Sequence, residues 1–195
     1  MVMRVLICGG GVIGASIAWF LANRGAQSVV IERTGVANAA SGKSGGFLAL
    51  DWCDGTPLAP LARRSFALHS SLLEEIADDW GYRRLDTYCG YARARTGRGR
   101  ALAWLSDDFA VTQRLGSTET TAQVHPGRFT TAMIRAAEAK GAVLRSGRAT
   151  GLARHGRRVT GVTGIARRSK AILSSSPWAR GRSSPPNGCF PPSTA

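Results

Sequence analysis

The sequence predicts an α/β fold built on a parallel sheet, and three segments near its start support this prediction. A short apolar run, Arg4 to Cys8, leads directly into glycines, as expected of a buried parallel strand that ends in a tight turn. Apolar residues then recur at three- and four-residue spacing from Val12 to Asn23, which indicates a helix. A second apolar strand, Ser28 to Ile31, ends in Glu32. Together these segments form a βαβ unit with an expected right-handed crossover.

A long loop and a second helix are predicted next. The loop, Arg33 to Thr56, is rich in Gly, Ala and Ser and is longer than ordinary connections, which favours a functional or a disordered segment. The helix that follows has prolines at its start, Gly81 at its end and an apolar stripe along one face. The residues of this stripe are Leu58, Leu61, Leu68, Leu72, Leu73, Ile76 and Trp80.

The rest of the chain up to Gly164 is predicted to hold strands, one more helix and a hairpin. The helix is expected from Arg128 to Lys140, with Gly141 as its end. The hairpin is expected to turn at His155 and Gly156. The expected strands are residues 86 to 94, residues 121 to 125, Ala142 to Leu144, Ala149 to Ala153 and Arg158 to Val162.

The composition favours a globular chain without a membrane span. With 195 residues, of which 44% are hydrophobic and 19% charged, one domain of ordinary size is expected. No stretch approaches the roughly 18 to 20 apolar residues of a membrane helix, and the first apolar run is too short for a signal-peptide core. The four cysteines are widely spaced without a CxxC pair, so neither a zinc site nor a disulfide framework is suggested. The expected location is the cytoplasm or another reducing intracellular compartment.

The net charge of +14 raises the question of a nucleic-acid partner, because basic chains attract phosphate. Residues 165 to 195 contain five basic residues and no acidic one, so they account for +5 of the +14. A cluster at Arg93, Arg95, Arg98 and Arg100 lacks interleaved aromatic residues that could stack on bases. No nucleic-acid partner is therefore expected, although a non-catalytic basic binding module remains an alternative.

The first turn carries a dinucleotide-binding fingerprint. Gly9, Gly11 and Gly14 follow the GxGxxG spacing between a predicted strand and a predicted helix, and Glu32 ends the next strand. In this motif the glycines permit the tight turn, the approach of a pyrophosphate and close packing of helix against strand. The pyrophosphate lies at the helix N-terminus, where free N–H groups favour negative charge, and Glu32 would accept hydrogen bonds from ribose hydroxyls. These residues alone leave FAD and NAD open as the cofactor.

The loop after Glu32 favours FAD through a family resemblance. Its segment Ala39-Ala40-Ser41-Gly42-Lys43-Ser44-Gly45-Gly46 resembles the flavin-contacting loop of the D-amino acid oxidase and glycine oxidase superfamily. In that family the loop wraps the pyrophosphate and the flavin end, with small residues because backbone lies against the cofactor. Arg33 and Lys43 are candidate phosphate neighbours. The resemblance implies FAD contacts at Gly9, Gly11, Val12, Ile13, Gly14, Glu32, Arg33, Ala40, Ser41, Lys43, Ser44, Gly45 and Gly46.

The resemblance continues through residues 123 to 132, the following helix and residues 141 to 144, and it covers residues 4 to about 164. On this alignment Ala149 occupies the position whose backbone contacts adenine, where family members usually carry valine. His125 is interpreted as a residue that orders the helix start before Pro126 rather than as a catalytic base. No catalytic residue and no metal ligand is identified from the sequence.

Residues 165 to 195 differ in character from the rest of the chain. They hold five of the eight prolines and many serines, as expected of a disordered tail. Family members continue here with an acidic residue, an apolar strand and a Gly-Pro-Trp-Ser-like turn. The neighbouring reading frame permits that succession, since the codons of Trp178 and Ala179 overlap to encode glycine. We therefore hypothesise that the reading frame departs from that of the family near Gly164.

The resemblance implies an FAD-dependent oxidoreductase similar to amine or amino-acid oxidases. Such an enzyme transfers a hydride from the carbon of a C–N bond to the flavin, with oxygen as acceptor and a small amine or amino acid as substrate. Residues 1–164 would form a Rossmann-like FAD-binding domain that includes part of a substrate-domain insertion at about 86–125. The lost return strand would expose apolar surface and a strand edge, so weak or absent FAD binding and no turnover are expected of this chain. Another FAD-dependent hydroxylase or dehydrogenase is the alternative.

Overall fold

The computed structural model describes residues 4–92, 102, 104–106 and 108–166. The tail from residue 167 and the predicted arginine cluster at residues 93 to 100 lie outside the described residues. The helices are α1 (Val12–Ala22), α2 (Ala59–Glu75) and α3 (Pro126–Ala139), with a 3₁₀-helix at Ala40–Lys43. The strands are β1 (Arg4–Cys8), β2 (Gln27–Glu32), β3 (Phe47–Ala49), β4 (Arg83–Arg84), β5 (Thr87–Ala92), β6 (Phe109–Gly116), β7 (Thr121–Gln123), β8 (Val143–His155) and β9 (Arg158–Ala166).

The largest sheet in the described part of the chain has the strand order β1-β2-β8-β9. β1 pairs in parallel with β2, and β2 pairs in parallel with β8, so that Ile7 lies beside Val30 and Val30 beside Leu144. The predicted α/β fold with a parallel sheet is confirmed. The first βαβ unit also lies where the sequence predicts it, because its apolar runs are bounded by glycines at both turns.

The hairpin region differs from the prediction in two respects. The segments Ala142 to Leu144 and Ala149 to Ala153 were expected as separate strands, whereas β8 runs without interruption from Val143 to His155. Its first residues pair with β2 and its later residues pair antiparallel with β9. A strand has two hydrogen-bonding edges, so a change of partner requires no break; the pairing with β9 has a register shift between Ala149 and Gly151. β9 extends to Ala166, beyond the boundary expected near Gly164.

The main core forms where α1 packs against α3 and the sheet. Ala15 and Ala18 on α1 and Ala132 and Ala137 on α3 are buried almost completely. Their small side chains allow the two helix axes to approach closely. The larger buried side chains that fill the remaining space include Ile7, Trp19, Val30, Leu72, Phe129 and Met133.

The second helix is shorter than predicted. α2 ends at Glu75, and Ile76 already has extended backbone angles. Trp80 nevertheless lies in the core, with its ring 5.0 Å from that of Phe129, and its carbonyl accepts a hydrogen bond from the His125 N–H at 2.9 Å. The apolar pattern that continues to Trp80 therefore reflects burial of an irregular segment. Burial requires apolar residues whatever the backbone conformation, and so periodicity alone misplaced the helix end.

The long loop contains more regular structure than the sequence indicates. Besides the 3₁₀-helix it holds β3, which pairs antiparallel with β7, and β4 also pairs antiparallel with β7. The predicted strands at 86–94 and 121–125 correspond to β5 and β7, while β6, the partner of β5, was missed. β3 and β4, of three and two residues, carry too few residues to show alternation, and their pairing with distant strands creates them; shortness does not explain the eight-residue β6.

None of the helices in the described ranges combines the length and the apolar character needed to cross a bilayer.

Burial along the apolar stripe predicts a large loss of stability for one substitution and almost none for another. Trp80→Ala should lower the free energy of unfolding by about 3–5 kcal/mol, because Trp80 is 1% exposed and its removal leaves a cavity. Leu61→Ala, in the first half of α2, should change it by no more than about 0.5 kcal/mol, because Leu61 is 67% exposed. Urea denaturation followed by circular dichroism measures both. Equal losses would contradict this account of the core.

Candidate dinucleotide-binding site

In the turn between β1 and α1, the backbone of Gly9 lies close to the backbone of β2 and of α1. Gly9 has φ +108°, a conformation that L side chains rarely adopt, and its N–H donates to the Ile31 carbonyl at 2.9 Å. A Cβ atom on Gly14 would overlap the Gly9 carbonyl oxygen. Both positions therefore require glycine for steric reasons. The structure places the predicted glycine turn between the first strand and the first helix.

The start of α1 presents backbone N–H groups to the space above the turn. Gly11 caps the helix without a side-chain hydrogen bond, and the Val12 N–H donates to the Ser41 hydroxyl oxygen at 2.9 Å. A Cβ on Gly11 would lie 3.0 Å from that same oxygen. Ser41, which belongs to the 3₁₀-helix, thus brings an oxygen to the position where an anion would be favoured by the helix dipole.

Glu32 joins the glycine turn to the loop that follows β2. One carboxylate oxygen accepts a hydrogen bond from the Gly10 N–H at 2.7 Å. The other accepts from the N–H of Thr34 at 2.8 Å, from its hydroxyl at 3.0 Å and from the Gly35 N–H at 3.4 Å. Partial burial acts to raise the pKa of Glu32, but the hydrogen bonds from Gly10, Thr34 and Gly35 outweigh it and lower the pKa to about 2. Glu32 is therefore ionised at neutral pH.

A cleft of about 430 Å³ opens beside Glu32. This volume lies within the range of small-molecule sites, roughly 300–1,000 Å³. The predicted residues that line the cleft are Gly9, Gly11, Glu32, Arg33, Ser41 and Ala149. The parallel pairing of β2 with β8 places Ala149 near Glu32, although the two are far apart in sequence. The cleft thus combines backbone donors, a carboxylate and arginine side chains.

A second cavity, of about 520 Å³, adjoins the cleft at Ser41, which lines both. Apart from Lys43, the remaining loop positions predicted to contact a cofactor line this cavity together with Val12. These positions are Ala40, Ser44, Gly45 and Gly46. Lys43 lies on the exposed side of the 3₁₀-helix and lines neither space. Ile13 is 75% exposed and borders a separate hollow beside β1. Gly14 contributes by allowing α1 to pack closely against the glycine turn.

Several residues of the cleft were not singled out from the sequence. They include Thr34 and Gly35, which donate to Glu32, and Arg148, which lies beside Ala149; Gly10, which also donates to Glu32, lies behind the cleft lining. Ala37 also lines it with φ +59°, and its N–H donates to the Gly10 carbonyl at 3.0 Å. Thr34 and Gly35 follow Glu32 by two and three residues, and this proximity to a carboxylate expected to bind ribose could have identified them from the sequence. Arg148 can be assigned to the cleft only from the pairing of β8 with β2.

The histidine before α3 has the role expected from the sequence. His125 is the N-cap of α3, and its Nδ1 accepts a hydrogen bond from the Arg128 N–H at 3.2 Å. In the described ranges, groups of three or more His, Cys, Asp or Glu side chains that could hold a metal ion were not found.

The hydrogen bonds to the ionised Glu32 carboxylate predict a pH dependence of stability. Because its pKa is lower in the folded chain than its ordinary value of 4.5, ionised Glu32 stabilises the fold above about pH 4.5, and this contribution is lost as the pH falls toward about 2. Glu32→Gln should lower the free energy of unfolding at pH 7 by about 1 kcal/mol, a figure reduced for solvent screening. The exposed Glu119→Gln is the control. Denaturation curves from pH 7 to pH 3 that coincide for wild type and Glu32→Gln would refute this role.

Comparison with known proteins gives the family. The model of the family described as FAD dependent oxidoreductase (DAO) matches residues 4–191, a span that continues past the end of similarity expected near Gly164. An oxidoreductase from Schizosaccharomyces pombe is 34% identical over 139 residues, which are 65% of this chain and 36% of the relative. A D-amino acid dehydrogenase from Xylella fastidiosa is 33% identical over 110 residues, which are 51% of this chain and 25% of the relative.

A solved structure agrees with this family. The glycine oxidase from Bacillus cereus superimposes with a TM-score of 0.66 at 27% identity, and the similarity covers 83% of this chain and 53% of that protein. The chain therefore spans about half the length of this solved relative and less of the two others. Since the family model matches nearly the whole sequence, the chain belongs to the FAD-dependent oxidoreductase family of D-amino acid oxidase type.

Proposed function

We propose that this chain supplies the FAD-binding part of an enzyme that oxidises an amine or amino acid at its C–N bond. The observation that carries the proposal is the single cleft shared by the start of α1, the Glu32 carboxylate and residues 147–149 of β8. When bound, FAD accepts a hydride from the carbon beside the nitrogen and passes the electrons to oxygen. The chain's own contribution is to bind and orient that cofactor.

The residues present fit an adenine dinucleotide. The diphosphate would lie at the start of α1, where Gly11, which lacks a side chain, leaves room for it and the Val12 N–H can exchange its present partner, Ser41, for a phosphate oxygen. Glu32 lines the cleft as an ionised acceptor for the ribose hydroxyls. Arg33 and Arg148 add positive charge, which favours a diphosphate over a neutral ligand.

The substrate class of the whole protein is inferred from the relatives. The names of the similar proteins, a D-amino acid dehydrogenase and a glycine oxidase, both refer to amino acids. We propose a small amino acid or amine as the substrate. No catalytic residue is assigned, because the groups in the described part of the cleft would bind and orient a cofactor.

Arg148 offers a test of the cleft with a matched control. Arg148→Ala should raise the Kd for ADP roughly fivefold, equivalent to about 1 kcal/mol, because an exposed cation beside a diphosphate contributes modestly. Arg154→Ala removes the same charge from the same strand outside the cleft and should leave the Kd unchanged. NMR titration of the Gly9 and Gly11 amides detects even millimolar binding. Equal effects of the two variants would remove Arg148 from the site, and absence of binding by the wild type would refute the proposed function.

We further propose that residues 1–164 form the FAD-binding domain and that residues 165–195 are out of frame with the family. The support is the ordered succession of family features in the neighbouring frame, although the family match runs to residue 191. The coding DNA from Thr163 onward tests this. The shifted frame should lack an early stop codon, and a protein made from it should oxidise glycine, sarcosine or a D-amino acid in an oxygen-consumption assay. An early stop codon would end the proposal.

A further inference from the structure

The second cavity contains a side chain that the proposed function has not used. Its walls are the 3₁₀-helix, the glycines before β3, α2 and α3, and they are mostly apolar. Among the side chains that line it, His69 on α2 is the titratable one. The other polar side chains that line the cavity are the hydroxyls of Ser41, Ser44 and Thr130, and a few polar groups in a mostly apolar cavity are well placed to orient a ligand.

The orientation of the His69 ring is fixed on two sides. Its Nδ1 lies 2.8 Å from the Ser65 carbonyl oxygen, one helical turn earlier. Since a carbonyl oxygen can only accept, Nδ1 carries the proton and donates it. The ring also packs against Phe129 with a centroid distance of 4.9 Å. These contacts hold the imidazole in one tautomer and one orientation.

Nε2 of His69 is consequently a hydrogen-bond acceptor. Burial lowers the pKa of His69 below its ordinary value, although the hydrogen bond to Ser65 acts in the opposite direction. A neutral imidazole with Nδ1 protonated has its lone pair on Nε2. Within the described residues, the hydrogen bonds of His69 involve Nδ1 and leave Nε2 available.

The position of the cavity relative to the cleft indicates which part of a ligand it would receive. Ser41 lines both spaces, and Val12, the first residue of α1, lines the second. A diphosphate at the start of α1 with its adenosine beside Glu32 and Ala149 would direct the other half of the dinucleotide away from Glu32. The cavity, with its glycine backbone and apolar walls, suits a flat aromatic ring on that side.

We infer that His69 is a cofactor-contacting residue, whose Nε2 accepts a hydrogen bond from the flavin half of the bound dinucleotide in the second cavity. The inference rests on the proposed function. The donors that this half offers are the imide N–H of the flavin ring and the ribityl hydroxyls. ADP has neither, although it shares the adenosine and the diphosphate, and it therefore separates contacts in the cleft from contacts in the cavity.

NMR of the full chain with ¹⁵N-labelled histidine tests the contact directly. FAD should shift the Nε2 resonance of His69, whereas ADP should shift the Gly9 and Gly11 amides and leave His69 unchanged. His155, in the hairpin turn, should respond to neither ligand. If FAD shifts the glycine amides while the His69 resonance stays in place, this inference is wrong and the proposed function stands. If neither ligand shifts the glycine amides, both are wrong.

Two substitutions separate the acceptor from the structural role of the ring. His69→Asn keeps a donor for the Ser65 carbonyl but lacks the Nε2 acceptor, and it should raise the Kd for FAD about tenfold without changing that for ADP. His69→Gln returns an acceptor near the Nε2 position and should restore most of the affinity. His155→Gln is the matched control. An equal loss for ADP and FAD, or equal losses in the Asn and Gln variants, would overturn the inference; should a variant fail to fold, the wild-type NMR result decides.

Discussion

The hydrogen bond from the Gly10 N–H to the Glu32 carboxylate joins the two features on which the site depends. It ties the glycine turn to the end of β2, and the opposite oxygen of the same carboxylate holds Thr34 and Gly35. One ionised side chain thereby organises both the turn and the start of the long loop. The same ionised group remains at the cleft wall, where it can meet ribose hydroxyls. The local structure and the proposed binding of a dinucleotide therefore depend on one electrostatic feature.

The sheet order decides what surrounds that carboxylate. Because β8 pairs directly with β2, its residues Gly147 to Ala149 form the wall opposite the glycine turn. The loop after β2 closes the site from above, since the Ala37 N–H reaches the Gly10 carbonyl and Ser41 reaches Val12. Small residues allow each of these approaches. The cleft and the adjoining cavity are thus consequences of backbone packing more than of large side chains.

An apolar surface lies at the β1 edge of the described sheet. β1 is the last strand on that side, and Leu6, Ile13 and Ile17 expose large parts of their side chains there. Exposed apolar residues beside a strand edge are unfavourable in water, and proteins usually cover them. This surface lies beside the glycine turn.

The sequence by itself determined the βαβ unit, the glycine turn, the position of Glu32 and the role of His125, because each depends on neighbouring residues through steric limits, apolar periodicity or helix capping. It also indicated the family through the loop after Glu32. Only the tertiary structure decided where α2 ends, how β8 serves two partners, and that Arg148 and His69 line the two spaces. Those features arise from contacts between residues far apart in the chain, whose free energy is absent from any local pattern.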